Sequence, residues 1–202
     1  MKKLPVILFA IICLTLTGSL FAQKTFSLGP RIGLNMSSLV GDNADSDTQL
    51  GLVLGLTTIY SINEKTGLGI DLLYSQEGAE SKVGEINTHL DYVRIPVTFQ
   101  YFFGGWEDDF RPKLYAGIVP GILVKAEVGE QDIKDQMNSF DLAGTVGLGF
   151  NYRLGNGTRG IWLNTDLRYL RGFTSVFEAD GLDVFNQSLQ LSVGVAFGLD
   201  AQ

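Results

Sequence analysis

The chain has 202 residues, with 15 Lys and Arg against 22 Asp and Glu, a formal net charge of −7 at pH 7. Such acidity excludes an electrostatic nucleic-acid binder, and the single cysteine, Cys13, excludes a disulfide framework. Beyond the leading residues no apolar run approaches the roughly 20 residues a spanning helix needs, so passage through a bilayer would have to use strands.

The chain opens MKKLPVILFAIICLTLTGSLFAQ. Lys2 and Lys3 form a basic n-region, Leu4 to Leu16 an apolar core, and Ser19 to Ala22 a small-residue cleavage site. This reads as a secretory signal peptide over 1–22, with 23–202 as one domain. Cys13 lies inside the apolar core, and Ala10-Ile11-Ile12 before it does not form a lipoprotein cleavage box.

After the signal, alternation with a period of two recurs about every twenty residues. The first predicted strand, 25–38, puts Phe26, Leu28, Ile32, Leu34 and Met36 on one face and Ser27, Gly29, Arg31, Gly33 and Asn35 on the other. The second, 48–61, aligns Leu50, Leu52, Leu54, Leu56 and Tyr60. The third, 66–77, sets Leu68, Ile70, Leu72 and Tyr74 against Gly69, Asp71 and Ser75. The fourth, 88–103, sets Val93, Ile95, Val97, Phe99 and Tyr101 against Tyr92, Arg94, Thr98 and Gln100.

The fifth, 113–127, sets Leu114, Ala116, Ile118, Ile122 and Val124 against Tyr115, Gly117, Gly121, Lys125 and Glu127. The sixth, 139–154, sets Leu142, Val146, Leu148, Phe150 and Tyr152 against Asp141, Thr145, Gly147, Gly149, Asn151 and Arg153. The seventh, 160–173, sets Ile161, Leu163, Leu167 and Tyr169 against Asn164, Asp166 and Arg168. The closing strand is NQSLQLSVGVAFG.

Alternation alone does not say which face meets water. A soluble sheet buries its apolar face, whereas a membrane barrel turns that face to lipid and fills its interior with polar groups. Three features favour the barrel. The polar faces are rich in Gly, Ser and Ala, which a narrow eight-stranded interior requires. Long links (VGDNADSDT, GAESKVGEINT, VGEQDIKDQMNS, TSVFEADGLDVFN) alternate with the tight NEKTG and GNGTRG and the intermediate GGWEDDFRP. Aromatics gather at strand ends: Phe26, Tyr60, Tyr101, Phe103, Trp106, Tyr152, Trp162 and Phe197 at one interface, Tyr74, Phe140, Tyr169 and Phe173 at the other.

The expectation is an all-β, eight-stranded antiparallel up-and-down transmembrane β-barrel. It would sit as a monomer in outer-membrane lipid, with both termini periplasmic. Pro96 and Pro120 fall inside predicted strands of a wall that has no edge, so a bulge or break is expected near them.

LDYVRIPVTFQYFF, KLYAGIVPGILVKAE, FDLAGTVGLGFNYRLGNG and NQSLQLSVGVAFG together resemble the PorT-like outer-membrane β-barrel family, with Tyr92, Arg94, Ile95 and Pro96 as the most specific piece. The likeness covers essentially the whole mature chain. It implies the barrel fold and, through the family's name-giving member, a link to protein secretion. The ending departs from the usual terminal aromatic, since GLDAQ follows Phe197.

Arg31, Asp71, Arg94, Asp141, Arg153, Asp166 and Arg168 all fall on inner faces. Confined charges need partners, so these seven are expected to form a salt-bridge network that plugs the lumen, with the Tyr92 and Tyr115 hydroxyls able to join it. A gated ion path or proton relay is the functional alternative. The sole histidine, His89, has Ser81, Glu85 and Asp91 nearby in sequence, which raises the reading of a small lipid-modifying hydrolase. A soluble lipocalin-like carrier is a further alternative.

Asp42, Asp45, Asp47, Glu130, Asp132, Asp135, Glu178, Asp180 and Asp183 make the long links acidic, without EF-hand spacing. No phosphate-loop lysine pattern is present. The reading is therefore non-enzymatic, without cofactor or metal. It gives the chain an envelope structural, surface-interaction or secretion-accessory role and a possible envelope or secretion-machinery protein as partner.

Overall fold

The computed structural model describes residues 26–41, 46–81, 87–129, 131–155, 160–177 and 183–199. The signal peptide lies outside the described residues, as do Asp42, Asp45, Glu85, Glu130, Glu178 and Asp180. Ten strands are present among the described residues: β1 (Phe26–Gly41), β2 (Ser46–Ser61), β3 (Thr66–Ser81), β4 (Asn87–Arg94), β5 (Val97–Phe102), β6 (Phe110–Val128), β7 (Gln131–Asp132), β8 (Phe140–Leu154), β9 (Ile161–Gly172) and β10 (Val184–Gly198). A 3-10 turn follows β7 at Lys134–Gln136.

Each long strand pairs antiparallel with its chain neighbour, and β1 pairs with both β2 and β10, which closes the wall. β4 and β5 share one place in the ring, since both lie between β3 and β6. The two-residue β7 only extends β6 locally. The wall therefore has eight strands, joined up and down.

The alternation is turned outward as a membrane barrel demands. Ile32, Leu34, Leu50, Leu72, Val146 and Leu191 are exposed, while Arg31, Asn35, Asp71, Thr145 and Ser192 are buried inside. Along β10 the unbroken run of apolar outward residues goes from Leu189 to Phe197. That is ~27 Å of strand and, at the ~40° tilt of such barrels, roughly 20 Å of height, near the apolar thickness they present to lipid. A polar interior within an apolar exterior is the reverse of a soluble carrier, so the lipocalin-like reading falls here.

The fourth predicted strand is broken at Ile95 and Pro96. Asp71 N donates to Pro96 O at 3.0 Å and Ile95 N donates to Pro120 O at 2.9 Å, but neither proline has an N–H to return the bond. Both missing donors thus lie at one height of the wall. Arg94 opposes Gly121 and Val97 opposes Ile118, so no residue is gained or lost across the break and the alternation survives. β6 itself runs unbroken through Pro120.

The irregularity in β6 comes further along. Asp91 opposes Lys125 but Tyr92 opposes Leu123, so one extra residue is accommodated there. That reverses the predicted parity: Lys125 and Glu127 are not on the inner face but outside, paired at 2.8 Å, and Ala126 points in. Trp162 is a second correction. It shares the inner register of Asn164 and Asp166 and lies at the barrel mouth rather than in the outer aromatic belt.

Candidate functional site

The inward register of β1, β3, β6 and β9 delivers Arg31, Asp71, Lys113, Asp166 and Arg168 to one level of the lumen. Asp166 takes Arg31 at 2.7 Å and Lys113 at 2.9 Å. Asp71 takes Arg168 at 2.8 Å, lies 3.8 Å from Arg31, and accepts the Thr57 hydroxyl at 2.7 Å. Arg31 also donates to Ser192 and Thr57, each at 3.1 Å. All five charged side chains are buried.

Nearer the long loops, Arg94 donates twice to Glu77 at 2.6 Å and once to Asp141 at 2.7 Å. Thr174 donates to Asp141 at 2.6 Å, and the Asn186 amide donates to Glu77. The guanidinium stacks 4.3 Å from the Tyr92 ring centre. The first cluster holds three cations and two carboxylates, the second one cation and two carboxylates. Together they balance. Eight charges can occupy so narrow a space only because each has a partner: the cost of stripping water from an ion is several kcal/mol and is offset only by close opposite charge.

An apolar plug closes the same end. Leu39, Leu90, Leu123 and Val184 point in from the wall, while Met137 and Val176 fold over from the long links, with Ile133 and Phe177 packed against them. Met137 bridges to Phe177, and Asn138 donates to the carbonyls of Ser175 and Phe177. At the opposite end Arg111 lies buried, stacked 4.4 Å from the Phe102 ring centre, beside a cavity of about 80 Å³ lined also by Trp106 and Trp162.

Six of the seven inner-face charges read from the sequence meet in these clusters. Arg153 does not. It sits at the mouth, 3.6 Å from Asp109, with its guanidinium 4.9 Å from the Trp162 ring centre and bonded to the Trp106 carbonyl. The strand carries it past the last ring of interior acids. Glu77 and Lys113 join the clusters as charges outside that set of seven, and parity is the signal that marks them: Glu77 keeps step with Asp71 and Ser75, and Lys113 with Tyr115. Tyr115 contributes its ring beside Lys113 and Arg168, and its hydroxyl donates to the Leu167 carbonyl at 3.4 Å.

The hydrolase reading finds no assembled triad among the described residues. His89 Nδ1 contacts the Gln49 amide, and Asp91 accepts the Tyr74 hydroxyl at 2.7 Å, so Asp91 does not orient the imidazole. Glu85 and the Ser81 side chain are outside the described residues. No group of acidic or histidine side chains among the described residues is placed to hold a metal ion.

The sequence pattern of the family described as "Outer membrane protein beta-barrel domain" matches residues 21–178. The chain belongs to this outer-membrane β-barrel family. Three solved structures of similar shape are neisserial surface protein A, OprG from Pseudomonas aeruginosa, and the outer membrane enzyme PagL. Neisserial surface protein A is 16% identical with a TM-score of 0.51, over 86% of this chain and 97% of its own. OprG is 16% identical with a TM-score of 0.52, over 87% and 96%. PagL is 16% identical with a TM-score of 0.53, over 81% and 97%. At this identity the likeness is one of fold. No curated protein matches the sequence. The outer-membrane barrel thus shares its fold with an outer membrane enzyme as well as with a neisserial surface protein.

Proposed function

We propose that this outer-membrane barrel is a non-enzymatic monomer that works through its long acidic links, as a surface-interaction or secretion-accessory protein, and not as a pore. On this reading the long links face the cell exterior and both termini face the periplasm. The observation that carries it is the occupied lumen: four cations and four carboxylates locked in two ion clusters, beneath an apolar plug. An interior filled by side chains leaves no water path. What remains for recognition is the link-bearing end. The resemblance of LDYVRIPVTFQYFF to the PorT-like family supports the secretion-accessory form of the proposal.

Planar-bilayer recordings of the purified protein test the first half, with no steady single-channel openings expected. Stable openings would defeat it. Crosslinking in intact envelopes tests the second half, since an accessory protein is expected to yield a reproducible crosslinked envelope partner. The hydrolase alternative retains one favourable observation, an exposed histidine near the long-link end. Replacing His89 with Ala should leave the lipid A profile of the cell unchanged. A changed profile would reinstate it.

A further inference from the structure

The outward wall is apolar over most of its height, and on the β9–β10–β1 side a polar row lies within it. Arg171, Gln187 and Ser38 stand side by side on β9, β10 and β1, all facing out. Arg171 donates to Gln187 Oε1 at 3.3 Å, the Tyr169 hydroxyl donates to the same oxygen at 3.1 Å, and Gln187 Nε2 donates to Ser38 Oγ at 3.0 Å. The neighbouring outward row toward the termini is Tyr169, Leu189 and Met36. On the loop side Phe173, Phe185 and Val40 follow. The polar ladder therefore lies between apolar rows, not beyond the last of them.

On β8 the residue opposite Arg171 is Gly144. With no side chain there, the wall is notched by a groove of about 400 Å³, floored by Ala116 and Gly144 and walled by Val146, Tyr169 and Phe173, with Arg171 at its edge. A Cβ on Gly144 would come within 2.6 Å of the Phe173 ring. Among the described residues Arg171 has no carboxylate partner; it touches the Gln187 amide and lies 5.6 Å from the Phe185 ring centre. Lys125, the outward cation elsewhere on the wall, is by contrast neutralised by Glu127. An unpaired guanidinium on a lipid-facing surface is costly unless the surroundings supply an anion, and its planar fork matches a phosphate.

We propose that the notch between Arg171 and Gly144 holds one phosphorylated glycolipid of the adjoining leaflet. Its phosphate sits on Arg171 beside Gln187 and the Tyr169 hydroxyl, and an acyl chain lies along Gly144 and Ala116. The choice of glycolipid rests on the orientation proposed above, which places this end in the outer leaflet.

Native mass spectrometry of the protein released from micelles containing lipid A, phosphatidylglycerol or phosphatidylcholine tests the site. The expected result is a retained one-to-one lipid A adduct, favoured over phosphatidylcholine at least about tenfold. Arg171→Gln should lower retention about tenfold, and Gly144→Leu should lower it with the cation still present. Lys125→Gln should leave it unchanged. If Gly144→Leu does not fold, Thr165→Val, on the outward face away from the notch, serves as the folded control against Arg171→Gln. Equal adducts in the wild type and Arg171→Gln would overturn the site. Phosphatidylglycerol retained as well as lipid A would overturn the glycolipid assignment. Micelles offer lipid to both ends of the barrel, so this readout is independent of orientation, which protease added to whole cells tests separately.

Discussion

Both carboxylate oxygens of Glu77 accept hydrogen bonds from the Arg94 guanidinium, each at 2.6 Å, across the β3–β4 seam inside the barrel. Asp141 reaches the third corner of the same guanidinium from β8. One cation thus ties three wall strands together. Arg94→Met would leave two buried carboxylates unpaired and should destabilise the barrel by about 3–5 kcal/mol. Urea unfolding in micelles measures this, and an unchanged midpoint would show that the cluster does not hold the wall.

Gly147 stands directly opposite Tyr115, and the tyrosine ring lies over the space that a side chain at 147 would fill. Gly147→Val should therefore cost roughly 1–3 kcal/mol through overpacking. In a Tyr115→Ala background the same substitution should cost less, because the ring it collides with is gone. Additive effects in the double-mutant cycle would refute a direct clash.

Spin labels at Leu191, Val193 and Val195 should be accessible to oxygen dissolved in lipid, whereas labels at Ser192 and Gly194 should be immobilised in the lumen. The alternation follows from the two-residue period of β10. A pattern of the opposite phase would mean that the apolar face is turned inward.

Met137 is 3% exposed within the apolar plug, among Leu90, Leu123 and Val176. Met137→Asp would place a carboxylate there without a partner, at a cost of at least ~1.4 kcal/mol, so the plug should open about tenfold more often. Limited proteolysis in micelles should then cut the 129–139 link faster while the barrel body stays intact. Unchanged cleavage would show that the plug is not what holds this link down.

The strand count, the closing of the ring and the direction of the apolar face were legible in the sequence, because a period of two repeated along the chain leaves few alternatives. Six interior charges were legible for the same reason. Glu77 and Lys113 obey that parity too, but they stand at the ends of their predicted strands, where alternation does not tell an inner-face charge from a loop charge. Lys125 and Glu127 were placed on the wrong face because one extra residue in β6 shifts every later side chain across the wall, and nothing in KAEV announces it. Arg153 keeps the inner parity but stands too far along β8 to reach the interior acids.

The sequence alone determined that this chain would form a barrel wall, since the alternation of apolar and polar residues is a local property of each strand. Which charges meet was decided only by the tertiary structure. Arg168 finds Asp71, 97 positions away, because strand stagger and closure set the height at which each side chain enters the lumen. Height depends on the register of every seam between two strands, and a register is a property of pairs of strands that neither one carries by itself.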